Sequence, residues 1–303
     1  MVPAPNLTAG LTTGLTAGPA RFPPPVPLPA APVGRCLVMG VLNVTPDSFS
    51  DGRLFLAVDD AVEHGLALSR AGADLVDVGG ESTRPGAHRV SGAEELRRVL
   101  PVVRALVASG VAVSIDTMRA RVAVAAVAAG ACLVNDVSGG LADPAMARVV
   151  ADTGIGYVVM HWRAHSLGMQ QRACYADVVE DVRHELLLRV DALTGAGVGL
   201  AQIILDPGIG FAKDADHNWA LLRGLDRILD LGRPVLVGAS RKAFLGRAAA
   251  ESSGVLPAAA DRDQLSAAVT ALAASAGASC VRVHDVRSSR DAVTVAAAWR
   301  GEP

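Results

Sequence analysis

The sequence predicts a (β/α)8 barrel, a fold of the α/β class. Three observations predict it: eight short apolar runs in a regular beat, longer Ala-rich amphipathic stretches between them, and a polar residue at or near the end of each run. The chain has 303 residues, and one such barrel takes about 250. Hydrophobic residues make up 51% and charged residues 19%, a balance that supports a buried core and excludes a largely disordered chain.

The apolar runs lie at 36–44, 74–78, 111–115, 132–135, 156–160, 203–206, 234–237 and 280–283. They are largely continuous rather than alternating, as strands covered on both faces are in a parallel sheet. Helical stretches at 58–71, 93–109, 119–129, 175–196 and 262–276 separate them. Gly72, Gly110, Gly130, Gly197 and Gly277 follow these stretches, where a helix ending in a left-handed residue prefers glycine. An open doubly wound sheet shares the beat, but no GxGxxG follows the first strand. Residues 1–34 hold nine of the 17 prolines, and Arg21 is their one charged side chain. Such a segment cannot bury a core. A flexible, disordered Pro/Ala-rich tail over 1–34 and a barrel over 35–303 are therefore expected.

Composition narrows the partners. The 28 basic and 30 acidic residues leave a net charge of −2, so neither nucleic acid nor a membrane surface is an expected partner. Aromatics at 3% leave little for stacking bases. No apolar run reaches the roughly 18 residues of a membrane span, and the first residues lack the basic and apolar regions of a signal peptide. Cys36, Cys132, Cys174 and Cys280 show no metal-ligand spacing. A cytoplasmic protein is expected, as scattered cysteines fit a reducing compartment. Only Lys213 and Lys242 are lysines, and only Asn6, Asn43, Asn135 and Asn218 are asparagines. In a chain biased to Arg and Ala, these rare residues mark positions where the commoner ones do not serve.

The polar residues at the strand ends are Asn43; Asp77, followed by Glu81, Thr83 and Arg84; Asp116; Asn135 and Asp136; Met160 and His161; Asp206; Ser240, Arg241 and Lys242; and Arg282 and His284. A barrel gathers all of these at its C-terminal mouth, where barrel active sites are built. A single Asp there is often just a helix cap. Eight strands each delivering a polar group go beyond capping. His64, His88, His165 and His184 are expected on the surface.

The same residues spell ordered motifs: MGVLNVTPDSFSDG (39–52), VDVGGESTRPGA (76–87), SIDT (114–117), VNDVSGG (134–140), MH (160–161), LDPGIGFAK (205–213), GASRK (238–242) and RVHDV (282–286). In this set the chain resembles the dihydropteroate synthase family. The resemblance implies a transferase of folate biosynthesis. It would join 6-hydroxymethyl-7,8-dihydropterin diphosphate to p-aminobenzoate, giving 7,8-dihydropteroate and diphosphate. It implies pterin binding by Asp116, Asn135, Asp206 and Lys242, with Met160, Gly238 and Phe211 as walls. A carboxylate such as Asp206 suits the paired donors of the pterin edge, and an amide such as Asn135 suits a mixed edge.

The resemblance further implies that Ser240, Thr83, Arg84, Pro85 and Phe49 hold p-aminobenzoate, Ser240 together with N–H groups at the start of the following helix. Asn43, Thr83, Arg282 and His284 would hold the diphosphate, with Asn43 also on Mg2+. Catalytic roles fall to Asp116, Lys242, Arg84 and Asp47. The segments 45–53 and 81–88 are lid candidates that would keep water from a cationic intermediate. A homodimer is the family habit. Three departures stand out: Arg53 where a second glycine is common, Ala243 where a serine is common, and Trp162-Arg163-Ala164-His165-Ser166 where Gly and Pro are common. A non-catalytic pterin binder and the methyltetrahydrofolate-binding barrel of corrinoid methyltransferases share parts of the pattern. The first needs no diphosphate pocket, and the second needs neither TPDSFSDG nor GASRK.

Overall fold

The computed structural model describes residues 29, 34–44, 54–81, 89–165 and 168–302. Eight strands form one parallel sheet: β1 Leu37–Asn43, β2 Leu75–Gly79, β3 Val113–Asp116, β4 Leu133–Asp136, β5 Gly156–Met160, β6 Ile203–Asp206, β7 Leu236–Val237 and β8 Cys280–Val283. Their order is β6-β5-β4-β3-β2-β1-β8-β7. A parallel bridge between Leu205 and Val235 spans the last seam, with the Leu205 N–H on the Pro234 carbonyl at 2.8 Å. The sheet thus closes into the expected barrel. The tail at 1–34 lies outside the described residues apart from Pro29 and Gly34, as do 45–53 and 82–88.

Among the described residues the helices are α1 Leu54–Arg70, α2 Gly92–Ala108, α3 Ala120–Ala128, α4 Met146–Thr153, α5 Val178–Gly195, α6 Ala215–Arg223, α7 Leu225–Leu229, α8 Ala243–Ser253, α9 Asp263–Ala276 and α10 Val286–Trp299. Five match the stretches that the pattern marks, and five are added. The glycines expected to end helices all do so with positive φ, from +79° at Gly110 to +108° at Gly277. Side chains cap the starts: Ser91 for α2, Asp177 for α5, Asp214 for α6 and Asp285 for α10. Asp116 and Asp206, at strand ends, cap no helix, so both are free for other work.

The main core lies between strands and helices, where Val76, Val78, Val103, Leu106, Ile115 and Val122 are fully buried. A second cluster of Met39, Leu75, Leu133, Val158, Leu236 and Cys280 is apart from it. These residues point into the barrel and form its floor. Gly65 shows how closely α1 approaches α2. A Cβ there would stand 2.8 Å from both methyls of Leu106. Leu106→Ala is expected to lower the unfolding free energy by about 2–5 kcal/mol. Gly65→Ala should also destabilise, but the two together should cost less than their sum, since the new methyl occupies the vacated space. Urea unfolding of the four proteins checks this; strict additivity would contradict it.

Candidate active site

Side chains alternate along a strand, so the residue two places beyond each floor residue also points inward, one layer nearer the mouth. From Leu75, Leu133, Val158, Leu236 and Cys280 this step reaches Asp77, Asn135, Met160, Gly238 and Arg282. From Ile204, which packs against the floor, it reaches Asp206. The pleat of the sheet therefore gathers Asp77, Asn135, Asp206 and Arg282 beside Met160 and Gly238 in one layer.

Arg282 crosses that layer. Its Nε donates to Asp77 Oδ2 at 2.6 Å and its Nη2 to Asp116 Oδ2 at 2.8 Å. Asn135 Nδ2 donates to the same Asp77 oxygen at 2.8 Å, which leaves the Asn135 carbonyl to face the mouth. Asp77 is fully buried. Its Oδ1 and the Ser114 hydroxyl, on register-paired residues, have no hydrogen-bond partner among the described residues. Burial pushes the Asp116 carboxyl up to about 7, Arg282 opposing and Asp77 adding to the rise. Burial also works against the Arg282 charge, but Asp77 and Asp116 outweigh it, so the guanidinium stays cationic.

Across the mouth, Asp206 Oδ1 accepts the Gly208 N–H at 2.7 Å, which tightens the turn after β6. Burial raises this carboxyl too, with Lys242 as the leading opposing charge. Lys242 donates to the Ile209 carbonyl, and its Nζ stands 4.7 Å from the Phe211 ring centroid. Burial lowers its ammonium to about 8, against the pull of Asp206. Gly210 makes this possible: a Cβ there would be 2.6 Å from Lys242 Cδ. Met160 packs with Met118 and Val137, and Phe211 and Trp162 lie against that cluster. A Cβ on Gly238 would meet only Arg282 Cβ, at 3.9 Å, so this glycine leaves the slot open.

The turn from β7 to α8 is pinned from α9. Arg241 takes a left-handed φ of +60°. Its guanidinium grips Asp263 at 2.6 and 2.7 Å, and its N–H donates to Ser266 Oγ at 2.9 Å. The flanking residues, Ser240 and Lys242, are thereby presented at the mouth. Lys242 occupies the N-cap position of α8, and no side chain caps the first N–H groups of that helix.

Comparison with known proteins agrees with this geometry. The family described as pterin binding enzyme matches residues 39–284, nearly the whole barrel. The dihydropteroate synthase of Mycobacterium leprae is 54% identical over 263 residues, covering 86% of this chain and 93% of that protein. A structure of Xanthomonas albilineans dihydropteroate synthase with 4-aminobenzoic acid superposes with a TM-score of 0.81 at 44% identity, covering 89% of this chain and 94% of that one. The same enzyme in complex with 7,8-dihydropteroate gives a TM-score of 0.78 at 42% identity, covering 89% and 95%.

The chain belongs to the pterin-binding enzyme family. It is a transferase with the dihydropteroate synthase reaction, acting on a pterin diphosphate and p-aminobenzoate. No described helix is long and apolar enough to cross a membrane.

The residues expected from sequence have the following surroundings. Arg282, expected on diphosphate, already spends two donors on carboxylates. Ser240, expected on p-aminobenzoate, has its Oγ 3.0 Å from His284 Nδ1 and accepts the His284 N–H at 3.2 Å. Glu81, expected to begin a lid, is instead a buried anchor: it pairs with Arg89 at 2.9 Å and Arg119 at 2.8 Å and accepts the Val90 N–H. His165, expected on the surface, is half-buried with its ring edge-on to Trp162 at 4.9 Å. Asn43 stands partly exposed at the end of β1. Asp47, Phe49, Thr83, Arg84 and Pro85 lie outside the described residues.

Sequence reasoning gave Asp77 and His161 no specific role, yet Asp77 is the hub of the polar layer. Its signal was a charge inside a strand otherwise apolar throughout. The raised Asp116 carboxyl has a testable sign. Its folded value lies above the usual 3.9 or so of an unfolded Asp, so the native state holds the extra proton between about pH 4 and 7. Its contribution to stability therefore falls as pH rises through that window. The stability of the unsubstituted protein minus that of Asp116→Asn should drop by on the order of 1 kcal/mol per pH unit there. Urea midpoints at four pH values check this, and a difference that stays constant with pH would contradict it.

Proposed function

We propose the following division of labour for the dihydropteroate synthase reaction. The pterin enters the slot between Met160, Phe211 and Gly238. Asp206, with one oxygen held by Gly208, offers the other to the 2-amino and N3–H edge. Asn135, its Nδ2 tied to Asp77, presents its carbonyl oxygen to the ring. Lys242 lies over the Phe211 ring and closes one side. The observation that carries this reading is the single inward layer at the mouth, which offers two oxygens and an ammonium around an apolar slot.

The C–O bond to diphosphate breaks first, and the aniline nitrogen then attacks the methylene carbon and sheds a proton. Burial pushes the Asp116 carboxyl up to about 7, and positive charge developing on the pterin favours its carboxylate form, which stabilises that charge. His284 and the remaining donors of Arg282 receive the departing diphosphate beside Asn43. Ser240 and the uncapped N–H groups of α8 take the p-aminobenzoate carboxylate. For Thr83, Arg84, Pro85, Asp47 and Phe49, which lie outside the described residues, the roles are those the family resemblance implies. Asn43 contributes a single neutral oxygen, a donor set that fits Mg2+ only together with phosphate oxygens and water. Bound there, the ion would offset the charge of the leaving diphosphate.

Lys242→Ala is expected to lower turnover by about 100-fold or more with the fold intact, and chelation of Mg2+ should remove most of the p-aminobenzoate-dependent diphosphate release. Unchanged turnover in either case would contradict the corresponding role. We also propose a cytoplasmic homodimer. Cytoplasmic placement fits four free cysteines, three of them buried. Dimerisation is supported by Leu272, Val295 and Trp299, which are 70%, 64% and 85% exposed on the mutually packed helices α9 and α10. Light scattering should give twice the chain mass, and Trp299→Glu should shift it toward the monomer. A monomeric unsubstituted protein would overturn the proposal.

A further inference from the structure

One of the two lysines in the chain has no part in the site just described. Lys213 lies seven residues after Asp206 and is only 3% exposed. Its Nζ donates to the Phe211 carbonyl at 3.0 Å and to His161 Nδ1 at 3.0 Å. His161 is equally buried, and its other nitrogen, Nε2, stands 2.9 Å from Glu185 Oε2 on α5. Arg163 grips the same Glu185, and its guanidinium also lies 3.9 Å from the centre of the Tyr175 ring. The Tyr175 hydroxyl in turn donates to the Ala212 carbonyl at 3.0 Å. A chain of groups thus runs from the partly exposed α5 carboxylate, through a neutral imidazole, to an ammonium behind the β6 loop.

The two anchoring points explain what the chain holds. The loop from Pro207 to Lys213 has no regular structure of its own. Ala212 takes a left-handed φ of +49°, and Gly208 and Gly210 take +69° and +81°. A Cβ on Gly208 would be 2.5 Å from the His161 carbonyl and 3.4 Å from Lys213 Nζ, so β5 and this loop meet at the lysine. Asn218 fastens the same loop from α6, its Oδ1 accepting the Gly210 N–H at 2.6 Å. Residues that serve the slot sit on this loop: Phe211 as a wall, and Ile209, whose carbonyl receives Lys242. Arginine would not replace Lys213 here, because a planar fork cannot reach two acceptors converging on one point in so small a space.

We infer that Lys213 is a positioning residue: bridging the Phe211 carbonyl to His161, it fixes the β6 loop so that Phe211 and Lys242 close the pterin slot. The inference rests on the assignment of that slot to the pterin. Burial lowers both groups, Lys213 to about 7 and His161 to about 4. The imidazole is then neutral, with Nδ1 free to accept and Nε2–H to donate.

The test measures binding of the pterin diphosphate by calorimetry, together with KM for p-aminobenzoate and the melting temperature. Lys213→Met, of similar length but without donors, should weaken pterin binding by about tenfold or more while KM for p-aminobenzoate changes less than about twofold. His161→Leu should do the same. His161→Asn, whose Oδ1 replaces the Nδ1 acceptor, should retain binding within about threefold. Pterin affinity unchanged in Lys213→Met would overturn the inference, as would equal loss for both substrates or equal loss in His161→Asn and His161→Leu. If Lys213→Met does not fold, the two His161 variants decide by the same criteria. Asp206→Asn separates the two levels. If it binds pterin normally, the slot assignment falls; if it loses binding while Lys213→Met does not, only the role of Lys213 falls.

Discussion

The mouth of this barrel depends on one cation shared by two buried carboxylates. Arg282 reaches Asp77 and Asp116 from β8, and Asn135 is oriented by the same Asp77 oxygen. Three strands are thus tied to a fourth by a side chain at the floor of the site. A buried ion pair contributes little net stability by itself, because desolvation offsets the attraction. What it does here is specify: it fixes which face of Asn135 looks outward and keeps a carboxyl poised between its two protonation states.

The rest of the site follows from what stands around that layer. Opposite it, Asp206 ends β6, the loop after β6 carries Phe211, and the turn after β7 carries Ser240 and Lys242. Both are irregular, and both are held from outside the site. The turn is pinned by Asp263 and Ser266 on α9 through Arg241. The loop is pinned by Asn218 on α6 and by Lys213 behind it. Strained backbone such as the left-handed Arg241 persists only where its surroundings over-determine it. The helices of the outer ring therefore contribute to the site without touching substrate.

Much of this was legible in the chain. The beat of apolar runs fixed the barrel, because strands buried on both faces must be apolar throughout. The glycines after α1, α2, α3, α5 and α9 marked helix ends, because only glycine adopts their φ cheaply. The described polar residues that gather at the mouth were legible by position, since a polar group ending a buried strand must point into a mouth or be wasted. Pairing was not legible. Nothing in the order of residues says that Arg282 chooses Asp77 and Asp116, 205 and 166 residues away, or that Glu81 anchors rather than covers. These are outcomes of closure, which brings β8 beside β1. The short helices α4 and α7 were also hidden, at eight and five residues too brief to show a period.

The most direct test of the shared cation is Arg282→Met, followed by urea unfolding at neutral pH alone and with Asp77→Asn. Removing the guanidinium leaves two carboxylates buried without their partner, which should cost about 3–5 kcal/mol. Asp77→Asn should then recover part of that loss, although by itself it destabilises, because it removes one of the stranded charges. Arg282→Met with the stability of the unsubstituted protein, or an Asp77→Asn cost that is the same in both backgrounds, would contradict the account.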